Sequence, residues 1–286
     1  MPGEAGSGTG ERARAVGWAL LGSEIGLLLR RRRTWAMLAA LAAIPVLMAL
    51  VVFFSADPPA AGEGPPLLDK VTQNGMFVSV TALVVTTPLF LPLTISVVAG
   101  DTIAGEAGLG TLRYLLVAPA GRLRLLLVKS AGAAVFALLT PAVVLVAGWA
   151  IGAGLFGVGE ATLLSGDPIG PGGALVRSAL VAGYVAVSML GLSAIGLFIS
   201  TLTTAGIGAM ASTAVLAVVA QVLGQLQQLD WLHPWLFTHH WLGMLDLLRE
   251  PISWSSLADN AVLQAGYVAF FGALAYGRFT TKDVLS

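Results

Sequence analysis

Few side chains in this sequence have the types and spacing to do chemistry. Three histidines stand close together in "WLHPWLFTHHW": His233, His239 and His240. Three imidazoles can hold a metal, but no carboxylate sits beside them at a fixed ligand spacing. Trp231, Trp235 and Trp241 interleave with them and Trp254 follows, a mixture that equally suits short interfacial helices dipping into a lipid leaflet. That plainer reading is preferred, and no metal site is assigned. The chain has no cysteine, so disulfides, thiol nucleophiles and thiolate metal sites are ruled out. None of its lysines, Lys70, Lys129 and Lys282, follows a glycine, so there is no G-x-x-x-x-G-K-[ST] loop to cradle a nucleotide. H-E-x-x-H and G-x-S-x-G are also missing. The chain is therefore expected to be no enzyme. Its formal net charge is zero, and no nucleic-acid partner is expected.

A second chemistry-bearing stretch is "GDTIAGEAGLGTLRYLLVAPAGRLRLLLVK", Gly100 to Lys129. It mixes Asp101 and Glu106 with Arg113, Arg122, Arg124 and Lys129 between long apolar runs. Gly100, Gly105, Gly108 and Gly110 make a continuous helix costly there. The next piece, "TLRYLLV", carries Leu112, Leu115 and Leu116 on one helical face, with Arg113 on the other side. Pro119 ends it and "PAG" makes a turn. Arg122, Arg124 and Lys129 then restart a helix, with chains long enough to snorkel to phosphates. The whole reads as a short amphipathic knob on a glycine joint. Such a knob suits a groove on a partner protein or a bilayer surface, and Glu106 beside it fits the protein better than anionic lipid.

The elements that must position these residues are membrane spans. The 286 residues are 57% hydrophobic and 10% charged, far below the quarter charged that soluble domains carry. Apolar runs long enough to cross a bilayer lie at about 34–54, 76–99, 129–153, 178–200, 205–224 and 257–277. With the N-terminus inside, the inner segments hold Arg12, Arg14, Arg30, Arg31, Arg32, Arg33, Arg113, Arg122, Arg124, Lys129, Arg278 and Lys282. The outer ones hold only Lys70, Arg177 and Arg249. The positive-inside rule thus places both termini in the cytoplasm, and the 100–128 loop with them. The N-terminus is not read as a cleavable signal, because its first apolar run is as long as a span and begins late.

Residues 1–12 are expected to form a disordered tail and 13–286 a single transmembrane domain. Within 13–33, Val16, Leu20, Leu21, Ile25 and Leu28 share one helical side, while Gly17, Glu24 and Arg31 share the other. This reads as an amphipathic helix in the interface, or as a solvated charge run before the first span. In the second span Pro88 and Pro92 predict a kink, with Thr86 and Thr87 bonding the freed carbonyls. In the fifth, Ala205, Ala209, Thr213 and Ala217 form a small-residue ridge for close helix approach. The span centres hold no Asp, Glu, Lys, Arg or His, which argues against a proton-coupled carrier or a charged-ring channel.

The pattern Glu106, Gly110, Thr111, Leu112, then Pro119, Arg122 and Lys129, resembles the cytoplasmic loop of ABC-type-2 transporter permeases. Six spans, a preceding amphipathic helix, an outer hydrophobic hairpin at 225–256 and an ending with Phe279 and Asp283 agree with it. Ala107 and Gly108 stand where that family often has charged residues. The resemblance implies an all-α membrane protein in the plasma (inner) membrane, the permease subunit of an exporter for an amphiphilic or apolar substrate. Its loop would be a coupling helix, with Glu106, Gly110, Thr111, Leu112, Arg113, Leu115, Leu116 and Arg122 meeting a separate P-loop ATPase. Two ATPases, which hold ATP and magnesium, would serve two permeases, identical or not. By the same analogy the first, second and fifth spans face the dimer axis. Ala205 and Ala209 then pack the dimer, and Thr81, Thr86, Pro88, Thr94, Ser212, Thr213, Gln221 and Gln225 belong to the path. The alternative is an anchor or sensor that recruits a cytoplasmic partner without transport.

Overall fold

A computed structural model describes residues 20–55, 67–110 and 121–281 of the chain. The 1–12 tail, the first part of the 13–33 segment, and Lys282 and Asp283 lie outside the described residues.

A short helix, α1 (residues 20–30), leaves helical register at Arg31 and is followed by α2, Arg32–Phe54. The other helices are α3 (Met76–Thr86), α4 (Phe90–Gly108), α5 (Arg122–Phe156), α6 (Pro171–Leu202), α7 (Gly206–Leu223) and α8 (Trp254–Thr281). Six of them, α2 and α4 to α8, are long and apolar enough to cross a membrane. Helices α5 and α6, with 35 and 32 residues, run about 50 Å at 1.5 Å per residue, well beyond an apolar core of about 30 Å. Their ends therefore project past it. One end of the bundle is arginine-rich: it carries α1, the end of α4, the start of α5, the α6–α7 corner and the end of α8. The opposite end carries a two-stranded ribbon, β1 (Ala161–Thr162) paired antiparallel with β2 (Pro168–Ile169), and the tryptophan-rich 225–253 segment. That segment, read from the sequence as short interfacial helices in an outer hydrophobic hairpin, is a run of 3₁₀ turns at Gln227–Leu229, His233–Trp235 and Gly243–Leu248.

Helix α6 is the central post and packs against α3, α4, α5, α7 and α8. Its buried face is lined by small and hydroxyl residues, Ser178, Ser188, Gly191, Ser193, Gly196 and Ser200, which let neighbouring backbones come close. Ser178 and Ser188 donate to carbonyls four residues back, so these hydroxyls are satisfied within the helix.

Two sequence expectations change here. The span at 76–99 is not merely kinked but broken between Thr86 and Phe90. Thr86 and Thr87 donate to the carbonyls of Ala82 and Leu83, not to that of Val84, the one Pro88 deprives of its partner. The glycines from 100 onward do not end the helix, which continues to Gly108. Gly100 is needed for contact: a Cβ there would lie 2.7 Å from the Met210 nitrogen of α7. Of Gly100, Gly105, Gly108 and Gly110, it is Gly110, with φ +70°, whose backbone enters the left-handed region that a turn requires.

Candidate functional site

At the arginine-rich end, three helices meet on one lysine. Lys129, about two turns into α5, is 4% exposed. Its ammonium donates to both oxygens of Glu24 on α1, at 3.0 and 2.9 Å, and to Glu106 near the end of α4. Both carboxylates are themselves largely covered. An ammonium has three donors, and here all of them have carboxylate oxygens to meet. Helix α1 comes close enough for this because it crosses α5 at Gly132, against which Glu24 and Leu28 lie.

A second ion group stands one turn earlier on α4. Asp101 accepts from Arg31, at 3.1 Å, and Arg33, at 2.6 Å, which flank the α1–α2 corner, and it lies beside Gly206 at the start of α7. The arginines remain about two-fifths exposed, so this pairing is worth less than the buried one. Asp101 and Glu106 would both be disfavoured near the negative end of the α4 dipole, and the three cations reverse that. Ser200 of α6 accepts the amides of Ile103 and Ala104, holding the same stretch of α4 from a third side. Arg122 donates to the Thr280 carbonyl at 2.6 Å, which ties the start of α5 to the end of α8. Phe279 is buried with Ile103, Leu126 and Leu197.

Of the residues the sequence singles out for coupling, Glu106, Gly110 and Arg122 therefore flank a loop whose two stems are fixed to α1 and α8. Thr111, Leu112, Arg113, Leu115 and Leu116 lie outside the described residues. Lys129 does not snorkel outward as expected. It turns inward because two carboxylates face it, and Glu24, expected on the polar face of α1, turns inward with it.

The path residues separate. Thr81, Thr86, Thr94 and Thr213 are buried inside the chain, and the last three bond carbonyls of their own helices. Ala209 of the ridge is buried against α4, whereas Ala205 and Ser212 are exposed. Pro88, Gln221 and Gln225 line a half-open cavity of about 250 Å³, with Thr238, His239 and Trp241 on its other side. The tryptophan-rich segment that roofs it is bonded to α6 and α8. Tyr184 donates to the His240 carbonyl at 2.7 Å, Trp241 to that of Ser188 at 3.1 Å, and Gln264 to that of Phe237 at 2.8 Å. Arg177, 8% exposed, donates to the carbonyls of Leu247 and Arg249 and to Glu250. His233 lies 3.1 and 3.2 Å from the last carbonyls of the α7 end, Leu223 and Leu226. Among the described residues, no three His, Asp or Glu side chains gather as metal ligands do.

A family model described as ABC-2 family transporter protein matches residues 18–284. The chain belongs to the ABC-2 transporter family. No curated protein matches it.

The permease thus has a charge junction at one end and a hydrogen-bonded roof at the other. In that roof, burial and the adjoining His240 and His233 rings hold His239 below the ordinary histidine range. A depressed folded pKa means that the unfolded chain takes up the proton first as pH falls. Stability is then complete above about pH 6.5, the ordinary value, and is lost as pH drops through the lower folded pKa. Thermal melts of the purified permease should fall below that pH, and His239→Gln should remove part of the fall. An undiminished fall in the variant would clear His239 of the effect.

Sequence reasoning missed the partners Glu24, Asp101 and Ser200 and the buried roles of Arg177 and Gln264. One signal was present: Lys129 sits deeper along its helix than Arg122 or Arg124, where a lone cation needs a counter-charge.

Proposed function

We propose that this permease is the membrane half of an ATP-driven exporter in the plasma membrane, with the arginine-rich end and both termini in the cytoplasm. Two copies of a P-loop ATPase bind two permease chains at the 109–121 loops, and ATP and magnesium reside on the ATPases. Closure of the ATPases pulls the loops, and the spans rearrange to pass an amphiphilic or apolar substrate such as a lipid, drug or peptide.

The observation that carries this reading is the buried Glu24–Lys129–Glu106 junction. A loop that transmits force needs rigid stems, and this one leaves α4 and enters α5 within a contact that also grips α1. The apolar face of Leu112, Leu115 and Leu116 between those stems suits an ATPase groove. The absence of a P-loop and of charges at span centres fits an energy source on another chain.

The test is capture of the tagged permease from its host in gentle detergent. A P-loop ATPase is expected in equal amount, and replacing Leu112 and Leu116 together with Asp should remove at least nine-tenths of it, on the order of the 1.4 kcal/mol per tenfold of any equilibrium. Recovery of the intact permease without any ATPase overturns the transport reading in favour of an anchor or sensor.

A further inference from the structure

The break in the second span leaves one carbonyl in an unusual position. Residue 92, four positions after Pro88, is also proline, so the Pro88 carbonyl has no helical N–H to accept. The helical pattern resumes only with the Leu93 amide on the Leu89 carbonyl. Gln221 of α7 fills the gap, its side-chain Nε2 donating to the Pro88 carbonyl. Donor and acceptor both lie on the wall of the 250 Å³ cavity.

The rest of that wall narrows what can enter. It has no Asp, Glu, Lys or Arg, so it offers an ionised head no counter-charge. Gln225, Thr238 and His239 offer neutral donors and acceptors, while Leu236 and Trp241 offer apolar surface. Partial desolvation and its two histidine neighbours disfavour the proton on His239. The roof is pinned to α6 and α8 by the bonds of Tyr184, Trp241 and Gln264. The floor belongs to the α3–α4 break and α7, and Gln221 is the side chain that joins them.

We infer that this cavity binds the uncharged head of an amphiphile carrying at least one hydrogen-bond donor, and that the ligand takes the Pro88 carbonyl from Gln221. The exchange keeps the carbonyl satisfied, so it avoids the penalty of a buried orphan acceptor. It also frees α7 from the break in the second span. This step rests on the transport reading, since both elements belong to the spans proposed to rearrange. A ligand without a donor cannot make the exchange, because it would leave the carbonyl bare.

The protein has no cysteine of its own, so Leu242→Cys places a single thiol on the cavity wall. Its rate of maleimide labelling, with the purified permease in lipid nanodiscs, reports occupancy. The probes are 1-monooleoylglycerol, the same ester with both hydroxyls methylated, and oleyl phosphate. Protection by monooleoylglycerol is expected, with the methylated ester and the phosphate roughly fivefold or more weaker, as one net hydrogen bond provides. Adding Gln221→Leu removes the competitor for the carbonyl. It should lower the half-protecting concentration of monooleoylglycerol about fivefold and leave the methylated ester unchanged. Equal protection by the methylated ester, or none by monooleoylglycerol, overturns the inference even if the Gln221 variant does not fold. Weaker protection in Gln221→Leu overturns the exchange. The assay contains no ATPase. Protection without ATPase capture would retire the transport reading and leave the ligand site standing; capture without protection would retire the site alone.

Discussion

Lys129→Met is expected to destabilise the permease by about 3–5 kcal/mol, the cost of breaking a buried ion group by removing one partner. The methionine keeps the length and apolar stem of lysine, so the loss is electrostatic. Glu24 and Glu106 are left facing each other with little access to water. Two like charges in that setting repel, and neither can keep its hydration. The variant should therefore lose α1 from the α5 surface before it loses the bundle. On the proposed transport reading, coupling should fail with it: in a reconstituted complex with the ATPase, substrate-stimulated ATP hydrolysis should drop at least tenfold while the ATPase stays bound. Because membrane proteins often unfold irreversibly, the useful stability measurement is the fraction remaining monodisperse after heating. Making the two acids neutral in the same background, Glu24→Gln with Glu106→Gln, should recover most of the stability but not the coupling. Wild-type heating curves for Lys129→Met would show that the junction is no brace.

Gly100→Leu is the second large effect, and it tests contact rather than charge. The first side-chain carbon would already lie 2.7 to 2.9 Å from backbone atoms of Met210 and Ala209. Backbone cannot swing aside as a side chain does, so α4 and α7 must separate. The expected cost is about 3 kcal/mol, the upper part of the range for overpacking. Even Gly100→Ala should destabilise. The contrast is Gly183→Ala on α6, where the added carbon meets nothing within 4 Å and the helix should gain about 0.5–1 kcal/mol. Opposite signs for the two alanine variants in one heating assay are the expected result. If both stabilise, Gly100 is not a contact glycine. Separation at Gly100 should also reach the far end of the same helix pair, where Gln221 meets Pro88. Leu242→Cys labelling should accelerate in Gly100→Leu.

The spans were legible because a helix in lipid satisfies its backbone within itself, so length and apolarity alone report it. Runs at 34–54 and 205–224 correspond closely to α2 and α7, and that at 178–200 falls within the longer α6. The break was legible in outline because a proline acts on residues three and four positions away. The donor that repairs it was not: Gln221 lies 133 residues from Pro88, and no periodicity announces such a pair. Which role the hydroxyls of Thr86, Thr94 and Thr213 play was not legible, because a threonine on a helix reads the same whether it faces a path or bonds the preceding turn, as these do.

The sequence by itself determined that this is a helical membrane protein without a nucleotide loop, and it carried the loop pattern of its family. Those properties reside in composition and in residues near one another in the chain. Tertiary structure alone decided which charges meet. Glu24 and Lys129 are 105 residues apart, yet they share a buried contact because α1 folds back across α5 at Gly132. It also decided that Gly100 is a point of helix contact and not a joint. A glycine in a sequence states only that no side chain is present. Whether that absence gives freedom or admits a neighbour depends on what the rest of the chain places beside it.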